Sequence, residues 1–145
     1  MSCIFCEIIQ GNAPGSIVHA DDEVIVLMDI NPVNIGHVMV IPKTHAASLA
    51  EMAEGTGMHL FKIAHRTAAA IRAADVRCEG VNLFLADGEA AFQEVFHVHL
   101  HVFPRYEGDS FVVRAAWNLN LSRSELDTTA ANICAAYVRL WESHQ

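Results

Sequence analysis

Three histidines that alternate with aliphatic residues form the most chemically distinctive stretch of the sequence. His97, His99 and His101 are separated by Val98 and Leu100. A period of two is the period of a β-strand, so the pattern predicts three imidazoles on one face, about 6–7 Å apart, with aliphatic side chains on the other. An imidazole can exchange a proton near neutral pH, attack an electrophile or bind a metal ion. The stretch therefore predicts a functional site.

Two kinds of chemistry fit this row of imidazoles. Histidines at positions i and i+2 of a strand can bind one zinc ion, with a further ligand from elsewhere in the chain. Alternatively, His99 attacks an anionic substrate as a nucleophile while its neighbours manage protons and charge. The preceding turn at Asp87-Gly88 predicts a hairpin loop near Gln93. A glutamine amide and backbone N–H groups in such a loop suit phosphate oxygens, which favours the nucleophile.

The segment QEVFHVHLHVFPR, residues 93–105, resembles the signature of the histidine triad (HIT) superfamily. Other segments occur in the order typical of that family: Cys3-Ile4-Phe5-Cys6, Asp21-Asp22-Glu23, Met28-Asp29-Ile30-Asn31-Pro32, Gly36-His37-Val38-Met39-Val40-Ile41-Pro42-Lys43 and His45. The resemblance extends from about residue 3 to residue 105. It is closest to the bacterial-type Hint/HIT hydrolases that carry an N-terminal CxxC zinc motif.

This resemblance implies a nucleotide-binding hydrolase or nucleotidyl transferase that cleaves at the α-phosphate of a nucleotide conjugate. The reaction is expected to pass through a nucleotidyl-histidine intermediate on His99, with His101 donating a proton or a hydrogen bond at the leaving group. His37 is expected to face the triad. The expected conjugate is a nucleoside phosphoramidate or a dinucleoside polyphosphate with an AMP- or GMP-type nucleotide. The sequence leaves the base and the leaving group open.

The resemblance also assigns residues to the bound nucleotide. Asp29 is expected to accept hydrogen bonds from the ribose hydroxyls, although an aspartate before Asn31-Pro32 is equally typical of a turn. Gln93 is expected to hold the phosphate. An apolar slot for the base is expected from four residues: Phe5, Ile8, Leu27 and Ile30.

Two positions depart from the family pattern. Ala86 stands near the place of a common asparagine that helps to hold the phosphate, and alanine cannot make that polar contact. Phe92 stands where a glycine commonly precedes the glutamine, and it restricts the loop backbone. These departures support an alternative function, a catalytically weak nucleotide-binding protein with a regulatory or interaction role.

Cys3 and Cys6 form a CxxC pair that supplies half of a tetrahedral zinc site. A flexible thiol pair and a redox motif are alternatives, but the redox motif expects a βαβ context that the flanks do not supply. In relatives that keep both cysteines, histidines equivalent to His45 and His97 complete the site. The resemblance thus implies one zinc ion per chain. Four protein ligands leave no open position, so this zinc is expected to be structural.

Length and composition are typical of a compact enzyme. The 145 residues predict a single domain, which the resemblance implies is a HIT domain, and 52% of them are hydrophobic. No apolar run reaches the ~18 residues that span a bilayer, and no basic stretch precedes an apolar one at the N-terminus. A formal charge of −8 argues against general nucleic-acid binding. We therefore expect a cytoplasmic protein with no membrane or nucleic-acid partner, and the family resemblance adds a homodimer with sheets joined edge to edge.

The element pattern predicts an α+β fold, with a meander-type antiparallel sheet of about five strands, a long central helix and a C-terminal helix. Strands are predicted at 24–28, 38–41, 81–85 and 96–103. The spacing Ser48 to Glu51 predicts a short helix opened by a capping box, and a long helix is predicted over 58–74. Its apolar positions, which we expect to face the core, are Phe61, Ala64, Ala68 and Ile71. A second capping box, Ser122 to Glu125, predicts a C-terminal helix over about 123–143.

Overall fold

The structure, a computed structural model, describes residues 3–142. Its elements in chain order are α1 (Ile4–Ile9), β1 (Ile17–Ala20), β2 (Val24–Met28), β3 (Val38–Pro42), α2 (Glu54–Ala73), β4 (Gly80–Leu85), β5 (Leu100–Arg105) and α3 (Arg123–Tyr137). A short 3-10 turn, Glu89–Ala91, precedes β5, and a π-helical turn, Val138–Glu142, follows α3. The chain forms two compact units that divide after Phe111. The prediction of one domain over 1–145 stays a prediction.

The first unit contains a five-stranded antiparallel sheet. Its strand order is β1-β2-β3-β5-β4, so the last strand in sequence lies inside the sheet and β4 lies at an edge. Val40 of β3 pairs with Leu100 of β5, and Leu85 of β4 pairs with Leu100 from the other side. The predicted α+β class, with about five strands, a long helix and a C-terminal helix, is confirmed.

The sheet is buried on both faces near its centre. Helix α2 covers one face, where its residues pack with the aliphatic side chains of β2, β3 and β5. The other face packs against α1 through Phe5, Ile25, Leu27, Met39 and Ile41. Each fully buried side chain of this size contributes roughly 1.5–3 kcal/mol. The two apolar layers therefore stabilise the centre of the sheet, which includes β5 and its His101.

The buried face of α2 differs from the predicted one. The helix begins at Glu54, and its buried residues are Leu60, Ile63, Ala64, Thr67 and Ile71. Phe61 is 59% exposed, so its assignment to the core is wrong. Leu60 and Ile63 share the helical spacing with Ala64 and Ile71, and they form a more continuous apolar stripe than one centred on Phe61.

The predicted short helix at Ser48 to Glu51 is wrong, because this segment forms turns. The backbone N–H of Leu49 donates to the Asp87 carboxylate at 2.9 Å, and the Glu51 carboxylate accepts from the N–H of Ala47 at 3.0 Å. The Asp87 and Glu51 side chains thus hold the loop backbone without forming the predicted capping box. Asp87 and Leu49 are 38 residues apart in sequence, so no local pattern reveals their contact.

The histidine strand begins later than predicted. Strand β5 starts at Leu100, so His97 and His99 precede it and the predicted start at residue 96 is wrong. The N–H of Val98 donates to the carbonyl of Ala46 at 2.8 Å, outside the ladder. Alternation is nevertheless kept, since Val98, Leu100 and Val102 all belong to the core on the α2 side.

The second unit contains α3, and its predicted capping box is confirmed. The Ser122 hydroxyl accepts from the Glu125 N–H, and the Glu125 carboxylate accepts from the Ser122 N–H. The predicted helix end at residue 143 lies outside the described residues. The apolar side chains along the helix are exposed: Leu126, Ile133 and Tyr137. Within residues 3–142, no helix is both long enough and apolar enough to cross a membrane.

Candidate active site and metal cluster

A cavity of about 300 Å³ borders the histidine row. We call it the main cavity. One wall is apolar and comes from α1 and β2, with Phe5, Ile8 and Leu27 as its side chains. Polar groups are few, and they gather where Asp29, His99 and His101 meet. The remaining lining residues are Ile4, Met28, Ile30, Asn31, Met39, Phe84, Ala86, Phe92, Glu94 and Val95. The four residues predicted for the apolar slot therefore all line one cavity.

His99 is held in a single orientation beside the main cavity. Its Nδ1–H donates to the carbonyl of His97 at 2.7 Å, and its ring lies edge-on against Phe5 with the centroids 5.2 Å apart. Because Nδ1 carries the proton, the lone pair is on Nε2. No residue within 3–142 hydrogen-bonds to that Nε2. The imidazole is buried and lines the cavity, so its Nε2 lone pair has the fixed orientation that nucleophilic attack requires.

His37 and His101 form a hydrogen-bonded pair whose tautomers follow from one backbone group. The N–H of Val33 donates to His37 Nδ1 at 3.0 Å, which leaves the His37 proton on Nε2. His37 Nε2 lies 2.9 Å from His101 Nδ1, so the His37 Nε2–H donates there. His101 then carries its own proton on Nε2. The network thus presents a neutral N–H donor at the position next to His99.

Burial and, to a smaller extent, the neighbouring His99 and His37 together lower the pKa of His101 to about 4, against a partial opposing effect of Asp29. Burial also lowers the pKa of His37. Both imidazoles are therefore neutral at pH 7, as the tautomer assignment requires. The Asp29 carboxylate lies 3.4 Å from His37 Nε2 and 3.5 Å from His101 Nδ1. Its other oxygen accepts from the N–H of Asn31 at 2.8 Å, so the residue forms a turn and also faces the cavity.

The amide of Gln93 is bonded to the backbone. Its oxygen accepts from the N–H of Gly88 at 2.7 Å, and its nitrogen donates to the carbonyls of Ala47 at 2.7 Å and Val95 at 3.2 Å. The side chain is buried, and Gln93 is not among the residues lining the main cavity. In this geometry Gln93 fixes the loop between β4 and β5 rather than offering a free donor to the cavity.

The same loop contains a strained backbone. Phe92 has φ of +68°, the left-handed region, which costs a non-glycine residue roughly 1–2 kcal/mol. Its ring is 82% exposed and lines the main cavity. Ala86, at the end of β4, is buried and also lines the cavity. The two positions that depart from the family pattern thus border the same cavity.

Four side chains form a cluster suited to a metal ion beside α1. The ligand atoms of Cys3, Cys6, His45 and His97 all lie within 4.8 Å of one another. The Nε2–H of His97 donates to the carbonyl of Pro42 at 2.8 Å, so Nδ1 offers a lone pair to the cluster.

The spacing of these atoms fits zinc. The Nδ1 atoms of His45 and His97 are 3.2 Å apart, and Cys6 Sγ lies 3.5 Å from His45 Nδ1 and 3.7 Å from His97 Nδ1. Tetrahedral bonds of about 2.0 Å to nitrogen and 2.3 Å to sulfur require edges of roughly 3.3–3.8 Å. Burial and the neighbouring Cys3 raise the pKa of the Cys6 thiol when no cation is bound, an effect that a coordinated metal reverses. The cluster can therefore hold zinc.

Helix α1 connects this cluster to the cavity. Cys3 caps the helix and Cys6 lies in it, while Phe5 and Ile8 of the same helix line the cavity. The Phe5 ring also packs edge-on against both His97 and His99. A second group of possible ligands, Asp29, His37 and His101, also has its atoms within 4.8 Å of one another, and two of its members, Asp29 and His101, line the cavity.

Among the lining residues to which the sequence assigns no site role, Phe84 and Glu94 bear on the chemistry. Phe84 lies on the histidine face of β4, 6.2 Å from the His101 ring, and the period-two pattern of β4 is the signal that could have placed it there. Glu94 follows Gln93 in the loop, where the sequence carries no periodicity. Its carboxylate is a charged group at the cavity wall that only the folded loop reveals.

Comparison with known proteins places these features in a family. Residues 10–108 match the family model described as the HIT domain. An uncharacterised HIT-like protein of Borreliella burgdorferi is 39% identical over 120 residues, which cover 82% of this chain and 86% of the relative. Adenylylsulfatase HINT3 of Arabidopsis thaliana is 31% identical over 138 residues, which cover 94% of this chain and 68% of the relative.

Solved structures show the same fold. A HIT family protein from Bacillus anthracis superposes with a TM-score of 0.85 at 36% identity, covering 93% of this chain and 96% of that one. A Zn-bound histidine triad family protein from Mycobacterium smegmatis superposes with a TM-score of 0.74, also at 36% identity, covering 94% and 98%. Five antiparallel strands with three helices, including one at the C-terminus, are thus shared with known structures.

Proposed function

The chain belongs to the HIT domain family, and from this membership we propose that it is a nucleotide-binding hydrolase that cleaves a nucleotide conjugate at its α-phosphate. A relative named as an adenylylsulfatase supports hydrolysis as the general reaction. The phosphoramidase or dinucleoside polyphosphate hydrolase type is our finer proposal. The observation that carries the proposed hydrolysis is the orientation of His99. Its Nδ1–H donates to the His97 carbonyl at 2.7 Å, which leaves the Nε2 lone pair free to attack.

Binding of the nucleotide is assigned to the main cavity. The base occupies the apolar wall of Phe5, Ile8 and Leu27, with Ile30 at its exposed rim. The ribose hydroxyls donate to Asp29, whose oxygens keep lone pairs beyond the turn bond to Asn31. The α-phosphate then lies against His99. Gln93 contributes to phosphate binding indirectly. Its side-chain amide is bonded to the backbone at Gly88 and Val95, and it thereby positions the loop beside the phosphate.

The reaction proceeds in two displacements. His99 Nε2 attacks phosphorus in line and forms a P–N bond, while the bond to the leaving group breaks. The leaving group takes a proton from water while the His101 Nε2–H hydrogen-bonds to it, and His37 keeps His101 in that tautomer. The hydroxide that remains attacks phosphorus, the bond to His99 breaks, and nucleoside monophosphate is released. Because His101 is neutral at pH 7, its imidazole N–H donates a hydrogen bond and keeps its proton.

Zinc is assigned a structural role, with one ion per chain held by Cys3, Cys6, His45 and His97. The edge lengths of the cluster and the zinc in the Mycobacterium smegmatis relative support this proposal. Four protein ligands leave no position for substrate. The ion would supply rigidity at α1, and no step of the reaction passes through it.

We also assign the protein to the cytoplasm and to a homodimer joined at a sheet edge. Strand β4 lies at one edge of the sheet, and its Leu83 and Phe84 are 39% and 43% exposed. Exposed apolar side chains on an edge strand, one side of which has no strand partner in this chain, favour pairing with a second copy. The expected partners are this second chain and an AMP- or GMP-type nucleotide, with neither nucleic acid nor membrane.

A catalytically weak nucleotide-binding protein is the second candidate. The apolar Ala86, the strained Phe92 and the internally bonded Gln93 amide leave few side-chain donors for a phosphate. Under this alternative, nucleoside monophosphate binds in equilibrium measurements while phosphoramidate turnover is negligible. Measuring both on the same preparation separates the two functions.

Substitution of His99 tests the proposed hydrolase. The His99→Ala protein should lose turnover of adenosine 5′-phosphoramidate and keep AMP affinity within about tenfold, roughly 1.4 kcal/mol, because the cavity wall and Asp29 still hold the ligand. His101→Asn should slow hydrolysis of substrates with poor leaving groups more than of those with good ones, because the His101 N–H is proposed to assist departure of the leaving group. Steady-state kinetics and calorimetric AMP binding provide the readouts. Normal turnover by His99→Ala would exclude this mechanism.

A further inference from the structure

A second cavity adjoins His101 on the side of His37. It has a volume of about 300 Å³, and we call it the aromatic cavity after its lining by Val33, Phe84, Phe103, Phe111, Glu94 and His101. His101, Phe84 and Glu94 line both this cavity and the main cavity, whereas His99 lines the main cavity alone. The two spaces therefore meet at His101, the residue that our proposed reaction places beside the leaving group.

The walls of the aromatic cavity are fixed in place. The rings of Phe103 and Phe111 lie edge to face with centroids 4.9 Å apart, and Phe103 also contacts His37 at 4.9 Å. The Arg105 guanidinium covers the outer side of Phe111 at 4.7 Å. Two bonds to Asp109, at 2.6 and 2.8 Å, neutralise that guanidinium. The site is thus preformed and suited to an apolar or aromatic body.

The charge of this cavity is negative. Its described lining residues include two carboxylates, Asp29 and Glu94, and neither lysine nor arginine. Asp29 is partly compensated by the Asn31 N–H and by the proton-bearing Nε2 of His37. Glu94 is exposed and has no hydrogen-bond or ion-pair partner within the described chain. Bonds of the neighbouring Gln93 amide to Ala47 and Val95 hold its backbone in place. Glu94 is therefore an uncompensated charge next to the bond that breaks.

We propose that Glu94 and the aromatic cavity form a leaving-group subsite that selects amines with an apolar or aromatic body and a positive charge, and that rejects anionic leaving groups. This inference rests on the proposed function. In the reaction, the phosphoramidate P–N bond breaks as His99 Nε2 bonds to phosphorus, and the amine leaves with a proton from water while the His101 Nε2–H hydrogen-bonds to its nitrogen. The hydroxide that remains bonds to phosphorus, displaces His99 and completes the hydrolysis. Sulfates and polyphosphate chains are poor substrates, because they bring negative charge to Glu94.

Three adenosine 5′-phosphoramidates of equal size test the charge preference. Their leaving groups are benzylamines with an aminomethyl, a methyl or a carboxylate group in the para position. Wild type should show kcat/KM in the order cation, neutral, anion, with about tenfold between the extremes, as expected for one exposed carboxylate. Glu94→Gln should reduce that ratio to about twofold, and Glu94→Lys should reverse it.

Glu89→Gln provides the matched control, because Glu89 is an exposed carboxylate of the same loop that lines neither cavity. It should keep the wild-type ratio. A wild-type ratio near one, or a ratio that Glu89→Gln lowers as much as Glu94→Gln does, would contradict the inference. Absence of turnover of the neutral substrate by wild type would instead contradict the proposed function on which the inference rests.

The aromatic body has its own variant. Phe111→Ala should lower the preference for the benzylamine over the methylamine phosphoramidate about threefold or more, because Phe111 lines the aromatic cavity and is absent from the main cavity. AMP affinity provides the accompanying measurement and should stay unchanged. An unaltered benzyl-to-methyl ratio in a variant with wild-type AMP affinity would assign the leaving group elsewhere.

Discussion

At the scale of single residues, the chemistry depends on which nitrogen of each imidazole carries the proton. Carbonyl oxygens of His97 and Pro42 fix the protons of His99 and His97, and the N–H of Val33 fixes that of His37. Neighbouring histidines can thereby take the different roles that we propose for them: one coordinates, one attacks and one donates. The sequence shows three equivalent imidazoles, and only the backbone around them makes them different.

Phe92 provides a stability prediction at this scale. Replacing it with glycine relieves the left-handed backbone, and the 82% exposed ring has little packing to lose. Glycine also increases the conformational entropy of the unfolded state, which offsets part of this gain. Phe92→Gly should therefore raise the free energy of unfolding by no more than about 1 kcal/mol. Urea denaturation measures the change, with Phe61→Gly in α2 as a control that should destabilise. A Phe92→Gly protein less stable than wild type would show that the ring contributes contacts.

At the scale of elements, α1 links the metal cluster to the cavity. Cys3 and Cys6 belong to the start of this six-residue helix, and Phe5 and Ile8 carry its contacts to the histidines and the cavity. A helix this short has little stability of its own. Its position therefore depends on the packing of Phe5 and, under our proposal, on the bound zinc.

Replacing Cys3 and Cys6 with serine tests this link. The double variant should lose its zinc, unfold about 10 °C lower, equivalent to roughly 3 kcal/mol, and show a raised KM because α1 carries part of the base wall. Elemental analysis and thermal melts measure the first two effects. Cys78→Ser, outside the cluster, should keep the metal and the melting temperature. Wild-type protein without zinc, or with a Cys3–Cys6 disulfide, would contradict the proposal.

Much of this arrangement could be predicted from the sequence, and the failures have local causes. Alternating residues correctly indicated the core role of Val98, Leu100 and Val102, and Ser122 with Glu125 forms its capping box. The helix predicted at Ser48 does not form, because the Asp87 carboxylate accepts from the Leu49 N–H and the Glu51 carboxylate accepts from the Ala47 N–H. Phe61 lies outside the core because a neighbouring stripe of α2 is more apolar. Glu94 could not be found because loop contacts, rather than periodicity, place it at the cavity.

At the scale of the whole molecule, the chain exposes many apolar side chains. Leu83 and Phe84 lie on the edge strand β4, and Trp117 and Leu119 of the second unit are 93% and 80% exposed. Monomeric proteins seldom leave large apolar areas in water. A second copy of the chain is the partner that our proposal assigns to the β4 edge.

Sedimentation at micromolar concentration should accordingly report twice the chain mass of 15.9 kDa. Leu83→Lys should shift the protein toward the monomer, because a charge at the paired edge costs desolvation and packing. Ile17→Lys, at the opposite edge on β1, should remain dimeric. A monomeric wild type, or dissociation caused by Ile17→Lys alone, would remove the β4 interface.

The stereochemical course at phosphorus tests the central claim most directly. An adenosine phosphoramidate with one sulfur at the α-phosphorus, in a single configuration, is hydrolysed in ¹⁸O-labelled water, and the product configuration is determined. Each in-line displacement inverts phosphorus, so attack by His99 followed by water predicts retention overall. Direct attack by water predicts inversion. Retention would support the nucleotidyl-histidine intermediate even if it never accumulates, and inversion would contradict it.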